Sequence, residues 1–249
     1  MAPILIAEQQ DGLLTLTLNR PDKRNALNTE LYKQLVAALR EAAADEEVHV
    51  LLLQGQQDCF TAGNDLADFM GKSSLEPDDP ILQFLHTLAD FPKPVVAAVA
   101  GPAVGIGTTI LLHCDLVYLG DNARLQLPFV ELGLVPEFAS SLLLPRLVGH
   151  LKAAELLLLA EAMDAEEALR LGLANKVVAA DGLLSFAREQ GLKLAAKPPR
   201  ALQKSKALLK QELKQAVHFV IDLEARAFAQ ALQGEEAQQR IAQKLKRRG

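Results

Sequence analysis

Between Pro94 and Leu112 the chain carries no charged residue, and this run restricts the possible folds more than any other. An uncharged stretch of that length approaches a membrane span. Gly101-Pro102 divides it, however, into a Val/Ala strand over residues 95–99 and a glycine-started helix over residues 105–112, both at home in a soluble core. The same alternation runs through the first two thirds of the chain. Residues 4–8 and 13–18 read as strands joined around Asp11-Gly12, a hairpin signal. Leu27, Leu31, Leu35, Ala38 and Leu39 recur at helical spacing, and residues 48–53 form a short apolar strand. A short helix over 65–70, a mobile connection over 71–80, a helix over 81–89 and a strand over 116–119 complete the pattern. Strand alternating with helix predicts an α/β layer architecture with ligands near strand ends.

After His150 the character changes to Leu-rich helical patterns, and strand signals almost vanish. Asp164 with Glu167 predicts a capped helix start and Gly172 its stop. Lys197-Pro198-Pro199 is a break, which divides the chain into a core over 1–195 and a helical region over 196–249. The apolar stripes of that region require a partner surface, either the chain's own body or another subunit.

A net charge of −5 with both signs dispersed leaves no basic footprint for nucleic acid. The one dense basic run, Lys244 to Arg248, reads as a solvated helix end. Cys59 and Cys114 lack the count and spacing of a disulfide framework or zinc site, and the N-terminus has no charged-then-apolar signal, so a cytoplasmic location without membrane attachment is expected. Five histidines include no metal-spaced pair, so no metal is expected, and His113 and His150 read as structural. Ser140-Ser141 has no nucleophile elbow, and Gly101, Gly105 and Gly107 match no nucleotide-phosphate cradle.

Chemistry is concentrated elsewhere. From Leu132 to Arg146, Glu137 is the single acid in a largely apolar run, and a carboxylate deprived of hydration becomes a stronger proton acceptor. Two small-residue loops, 59–66 and 101–107, leave apolar strands and can aim backbone N–H groups at a ligand. Glycines at such turns more often serve close packing, and Glu137 taken alone could be a capped helix start. Together the three pieces could form an oxyanion hole beside a base, in which one donor contributes about 3 kcal/mol.

These residues also carry a resemblance. Asn19-Arg20-Pro21, Asn25-Ala26-Leu27, Ala62-Gly63-Asn64-Asp65-Leu66, Phe91-Pro92-Lys93-Pro94, Gly101-Pro102-Ala103-Val104-Gly105-Ile106-Gly107, Cys114-Asp115 and Leu132-Gly133-Leu134-Val135-Pro136-Glu137 resemble, in this order, the enoyl-CoA hydratase/isomerase (crotonase) superfamily. The resemblance implies a ββα spiral core, a C-terminal helical region that builds a homotrimer or dimer of trimers, and acyl-CoA thioester substrates. No separate cofactor is implied, since coenzyme A is part of the substrate. It places the oxyanion-hole amides at Asn64 and Ile106 and the substrate-binding set at Ala62, Gly63, Asn64, Asp65, Leu66 and Ile106. Thr109 and Phe129 stand where hydratases of the family have glutamates, whereas Glu137 matches the single glutamate of the Δ3,Δ2-enoyl-CoA isomerases. One base that takes a proton from C2 and returns it to C4 suffices for isomerisation, whereas hydration calls for two groups. Phe129, Leu132, Val135 and Phe138 are expected to supply the apolar setting.

Two positions depart from the family pattern. Ile106 replaces a usual glycine and would point a bulky group near the site, and Lys244 replaces an aromatic residue before the basic run. The alternative readings are an enoyl-CoA hydratase or other acyl-CoA enzyme of the family, and an acyl-CoA-binding protein without turnover.

Overall fold

The computed structural model describes residues 2–69 and 76–246. Its first part alternates strands and helices: β1 (Leu5–Gln10), β2 (Leu13–Leu18), α1 (Thr29–Ala44), β3 (Val50–Gln54), α2 (Leu66–Phe69), α3 (Pro80–Ala89), β4 (Val95–Val99), β5 (Pro102–Val104), α4 (Ile106–Thr109), β6 (Leu116–Gly120) and β7 (Arg124–Gln126). Then follow α5 (Ser140–Val148), α6 (His150–Ala154), β8 (Met163–Asp164), α7 (Ala165–Arg170), β9 (Lys176–Val178), α8 (Leu183–Ala195), α9 (Pro199–Lys210), α10 (Lys214–Gln233) and α11 (Glu235–Lys246). Six strands form one sheet in the order β1-β2-β3-β4-β6-β9, and β5-β7-β8 form a second. Only the β1–β2 pair of the large sheet is antiparallel, closed by Asp11 and Gly12, both at positive φ as a tight hairpin requires.

The central strands read as unbroken apolar runs because both faces are covered. Leu51, Leu53, Val95, Ala97 and Val99 join the main core with α1 and α3, while Val50, Leu52, Val96 and Ala98 pack against Leu183 and Ala187 of α8. Parallel pairing of β3 with β4, Leu53 opposite Ala97 and Gln54 opposite Ala98, makes the two chains leave the sheet at the same end. The two small-residue loops therefore emerge side by side.

The uncharged 94–112 run is indeed divided, but differently from expectation: it yields β4, the short strand β5, then α4 and a 3-10 turn over Ile110–His113. Strands also persist beyond His150. β9 pairs with β6 and β8 with β7, and at two or three residues each they are too short to show a period of two. Of the connection expected over 71–80, residues 71–75 lie outside the described residues, as do Met70 and Arg247–Arg248. Asp164 caps α7 by accepting from the Glu167 amide (2.9 Å), and Gly172 follows at positive φ.

The apolar stripe of α10, Ile221, Ala225, Phe228 and Leu232, is buried in the chain's own core. Earlier in the C-terminal region, Lys206 of α9 reaches the Asp115 carboxylate (2.7 Å) and the Lys93 carbonyl (2.7 Å). No helix among the described residues is long and apolar enough to cross a membrane.

Candidate active site

The 59–66 loop is organised from a distance. Asn25, fully buried at positive φ, donates from Nδ2 to the carbonyls of Cys59 and Phe60 (3.1 Å each), while its own carbonyl accepts from Thr61 Oγ1 (2.7 Å). Thr61 then bridges to Ala103, and its carbonyl accepts from the Val104 amide (3.1 Å), so this loop lies against the 101–107 loop. The approach is close enough to require glycine: a Cβ on Gly63 would stand 2.6 Å from the Val104 carbonyl, and Gly63 has φ +88°. Gly105, at φ 56°, turns the chain into α4.

Among the described residues, neither the Asn64 nor the Ile106 amide has a backbone or side-chain acceptor. Ile106 is the first residue of α4, where an orphan N–H is expected. Its side chain does not crowd the site as anticipated: it is buried in the main core, pulled inward by its apolarity. Ala62 and Gly63 form the loop backbone, Ala62 donating to the Arg24 carbonyl (2.9 Å). Asp65 is engaged with Arg20 (3.2 Å), and Leu66 packs against the core.

Glu137 is 7% exposed and faces a cavity of about 20 Å³, room for about one water molecule. The lining residues are Asn64, Ile81, Leu82, Leu85, Glu137, Phe138, Ala225 and Phe228. The apolar setting thus comes chiefly from α3 and α10, and of the four residues expected to supply it only Phe138 borders the cavity. Glu137 is the one titratable side chain in this lining. Burial pushes its carboxyl up from 4.5 to about 8, aided by the Glu224 charge and opposed by a hydrogen bond from Thr109. Thr109, unable to act as a base, instead donates from Oγ1 to Glu137 Oε1 (2.5 Å).

The turn that presents Glu137 is unusual. Phe138 and Ala139 have φ of 59° and 55°, a left-handed conformation that costs roughly 1–2 kcal/mol per L-residue. His113, on the 3-10 turn after α4, donates from Nε2 to the Phe138 carbonyl (2.8 Å) and stacks on its ring at 3.8 Å. The carbonyl can only accept, so Nε2 carries the hydrogen. Burial pushes the imidazole down to about 3, so it stays neutral and structural. His150 is exposed.

Tyr32 of α1 was not legible as a site residue. Its hydroxyl donates to Asn64 Oδ1 (2.5 Å), and burial first, then the charges of Glu137 and Asp79, holds it well above the usual phenol range. It is therefore a permanent donor, and it commits the Asn64 side chain that lines the cavity. Among the described residues, no group of three or more His, Cys, Asp or Glu side chains could hold a metal ion.

Comparison with known proteins gives consistent similarities. A family model described as enoyl-CoA hydratase/isomerase matches residues 8–248. The chain is 35% identical over 225 residues to enoyl-CoA delta isomerase 2 of Rattus norvegicus, covering 87% of this chain and 56% of that protein. It is 36% identical over 245 residues to 2,3-dehydroadipyl-CoA hydratase of Escherichia coli K12, covering 98% and 96%. The chain thus spans about half the length of the delta isomerase 2 proteins it matches. Among solved structures, Pseudomonas aeruginosa OdaA superimposes with a TM-score of 0.96 at 45% identity, covering 98% of this chain and 99% of that one.

Proposed function

Because the chain belongs to the enoyl-CoA hydratase/isomerase family, we propose that it is an acyl-CoA enzyme that converts 3-enoyl-CoA to 2-enoyl-CoA, with Glu137 as its single base. Glu137 takes a proton from C2 and returns it to C4. The dienolate formed between the two transfers carries its charge on the thioester oxygen, where the Asn64 and Ile106 amides stabilise it. The observation that carries this reading is the composition of the cavity wall, in which Glu137 is the sole titratable side chain. The positions that would hold further bases are occupied by Thr109, committed to Glu137, and by the buried Phe129.

The similarity to a hydratase along almost the whole chain favours one rival, addition of water to 2-enoyl-CoA. Both activities are separable in one experiment: 3-enoyl-CoA and 2-enoyl-CoA are supplied in deuterium oxide, and label at C2 and C4 is followed alongside 3-hydroxyacyl-CoA formation. Isomerisation with label entering at C2 or C4, and no hydroxyacyl product, supports the proposal. Hydration that outpaces isomerisation overturns it. We extend the proposal to a homotrimer or dimer of trimers. Leu208, Leu209, Phe219 and Leu223 of α9 and α10 are exposed apolar surface that such an assembly would cover. Sedimentation equilibrium reads that state directly.

A further inference from the structure

We propose that Glu224 is a positioning residue for the proposed reaction, holding the turn that presents Glu137 by gripping the amides of Ala139 and Ser141. The inference rests on the reading of Glu137 as the base. It starts from a carboxylate that the sequence gives no reason to notice: Glu224 lies on the buried stripe of α10, 6% exposed, in the region read as a helical appendage.

Its contacts are specific. Glu224 Oε2 accepts from the Ala139 amide (2.6 Å), and Oε1 accepts from both the amide (3.0 Å) and the hydroxyl (2.5 Å) of Ser141. Three donors converge on two oxygens, a pattern that a carboxylate fills completely and its uncharged amide analogue cannot. A glutamine at this place would set its NH2 against an N–H whichever way it turned. The gripped amides lie at the start of α5, where orphan N–H groups and the positive end of the helix dipole favour an anion. Ala139 offers no side-chain cap of its own. Two consecutive L-residues at positive φ need support from outside the turn. His113 holds the Phe138 carbonyl, and Glu224 holds the next amide. Glu137 is therefore fixed by three separate parts of the chain: Thr109 at its carboxyl, His113 and Glu224 on the backbone that follows it.

The same residue acts through its charge. The groups facing Glu137 are Tyr32 from α1, Thr109 from α4 and Glu224 from α10, with neutral His113 behind Phe138. Of these Glu224 is the one other carboxylate, and its repulsion keeps Glu137 a better proton acceptor. α10 thereby contributes to the site twice, walling the cavity with Ala225 and Phe228 and setting the base through Glu224.

The test compares Glu224→Gln with the parent in three readouts: kcat and KM for 3-enoyl-CoA isomerisation, the pH profile of kcat/KM, and the Glu137 carboxyl titration followed by carbon NMR of labelled glutamate, assigned with Glu137→Gln. We expect kcat to fall at least tenfold, KM to change less than about threefold, and the Glu137 titration to move to lower pH. A folded variant that loses thermal stability but keeps kcat and the Glu137 titration would reduce Glu224 to a helix cap and overturn the proposal. A moved titration with unchanged kcat would instead count against Glu137 as the base, which separates the two readings. If Glu224→Gln does not fold, Glu224→Asp decides: it keeps the charge but withdraws the carboxylate by one methylene from the Ala139 and Ser141 amides, and an unchanged kcat overturns the proposal.

Discussion

At Glu137 two effects oppose each other, and burial outweighs the Thr109 hydrogen bond, giving a carboxyl near 8. The consequence for stability has a definite sign. Between the unfolded value of 4.5 and the folded value of about 8, the folded chain keeps a proton that the unfolded chain has lost, so stability falls as pH rises. The penalty is complete above about 8 and is on the order of 5 kcal/mol. Glu137→Gln should therefore be more stable than the parent by several kcal/mol at pH 8.5 and nearly equal to it at pH 4.5, as read by urea denaturation at the two values. The same substitution should lower kcat by about 10²–10⁴. For the parent, kcat/KM should rise about tenfold per pH unit and level off above about 8, because only the ionised carboxylate accepts the proton. Thr109→Val removes the donor that favours the charged form, so its profile should shift to higher pH while the plateau is retained. An unshifted profile would show that the 2.5 Å contact carries no weight.

Among the elements, α3 and α10 deserve comparison because together they close the cavity. Their polar link is visible: His86 bonds Asp222 (2.8 Å), His218 bonds Asp90 (2.9 Å), and the two imidazoles stack at 5.0 Å. Half-exposed pairs of this kind contribute roughly 0.2–1 kcal/mol. Burial of Phe228 against α3 is larger, and Phe228→Ala should cost about 3–5 kcal/mol, whereas a double-mutant cycle on His86 and Asp222 should give a coupling below about 1 kcal/mol. The space opened by Phe228→Ala should also raise kcat/KM for longer acyl chains relative to short ones, measured on a chain-length series. The legibility of elements follows the same physics. β3, β4 and β6 were readable because a buried parallel sheet requires continuous apolar runs, and β2 because its leucines alternate with Thr15 and Thr17 beside the Asp11-Gly12 hairpin signal. β5, β8 and β9 were not, because at two or three residues each they are too short to show a period. The helix expected over 105–112 gives way to a 3-10 turn, placing His113 under Phe138, a contact no periodicity encodes.

Across the whole molecule, the fold is of the crotonase type with a C-terminal helical region, as the motif order implied. That region covers the cavity and ties back to the body through Lys206, Asp115 and Glu224. Truncation at the Lys197-Pro198-Pro199 break should therefore abolish activity and expose the core to hydrophobic dyes, measured by turnover and dye fluorescence against the full chain. By itself the sequence determined the apolar strands of the large sheet, the two glycine loops and the isolated acid, because burial on both faces, positive φ and a lone acid in apolar surroundings each leave a local mark. Tertiary structure alone decided what surrounds that acid. Thr109, Tyr32, His113 and Glu224 act on it or on the turn that carries it through contacts across the fold. Hydrogen bonds and desolvation depend on distance in space, and no spacing along a chain records which buried groups will meet.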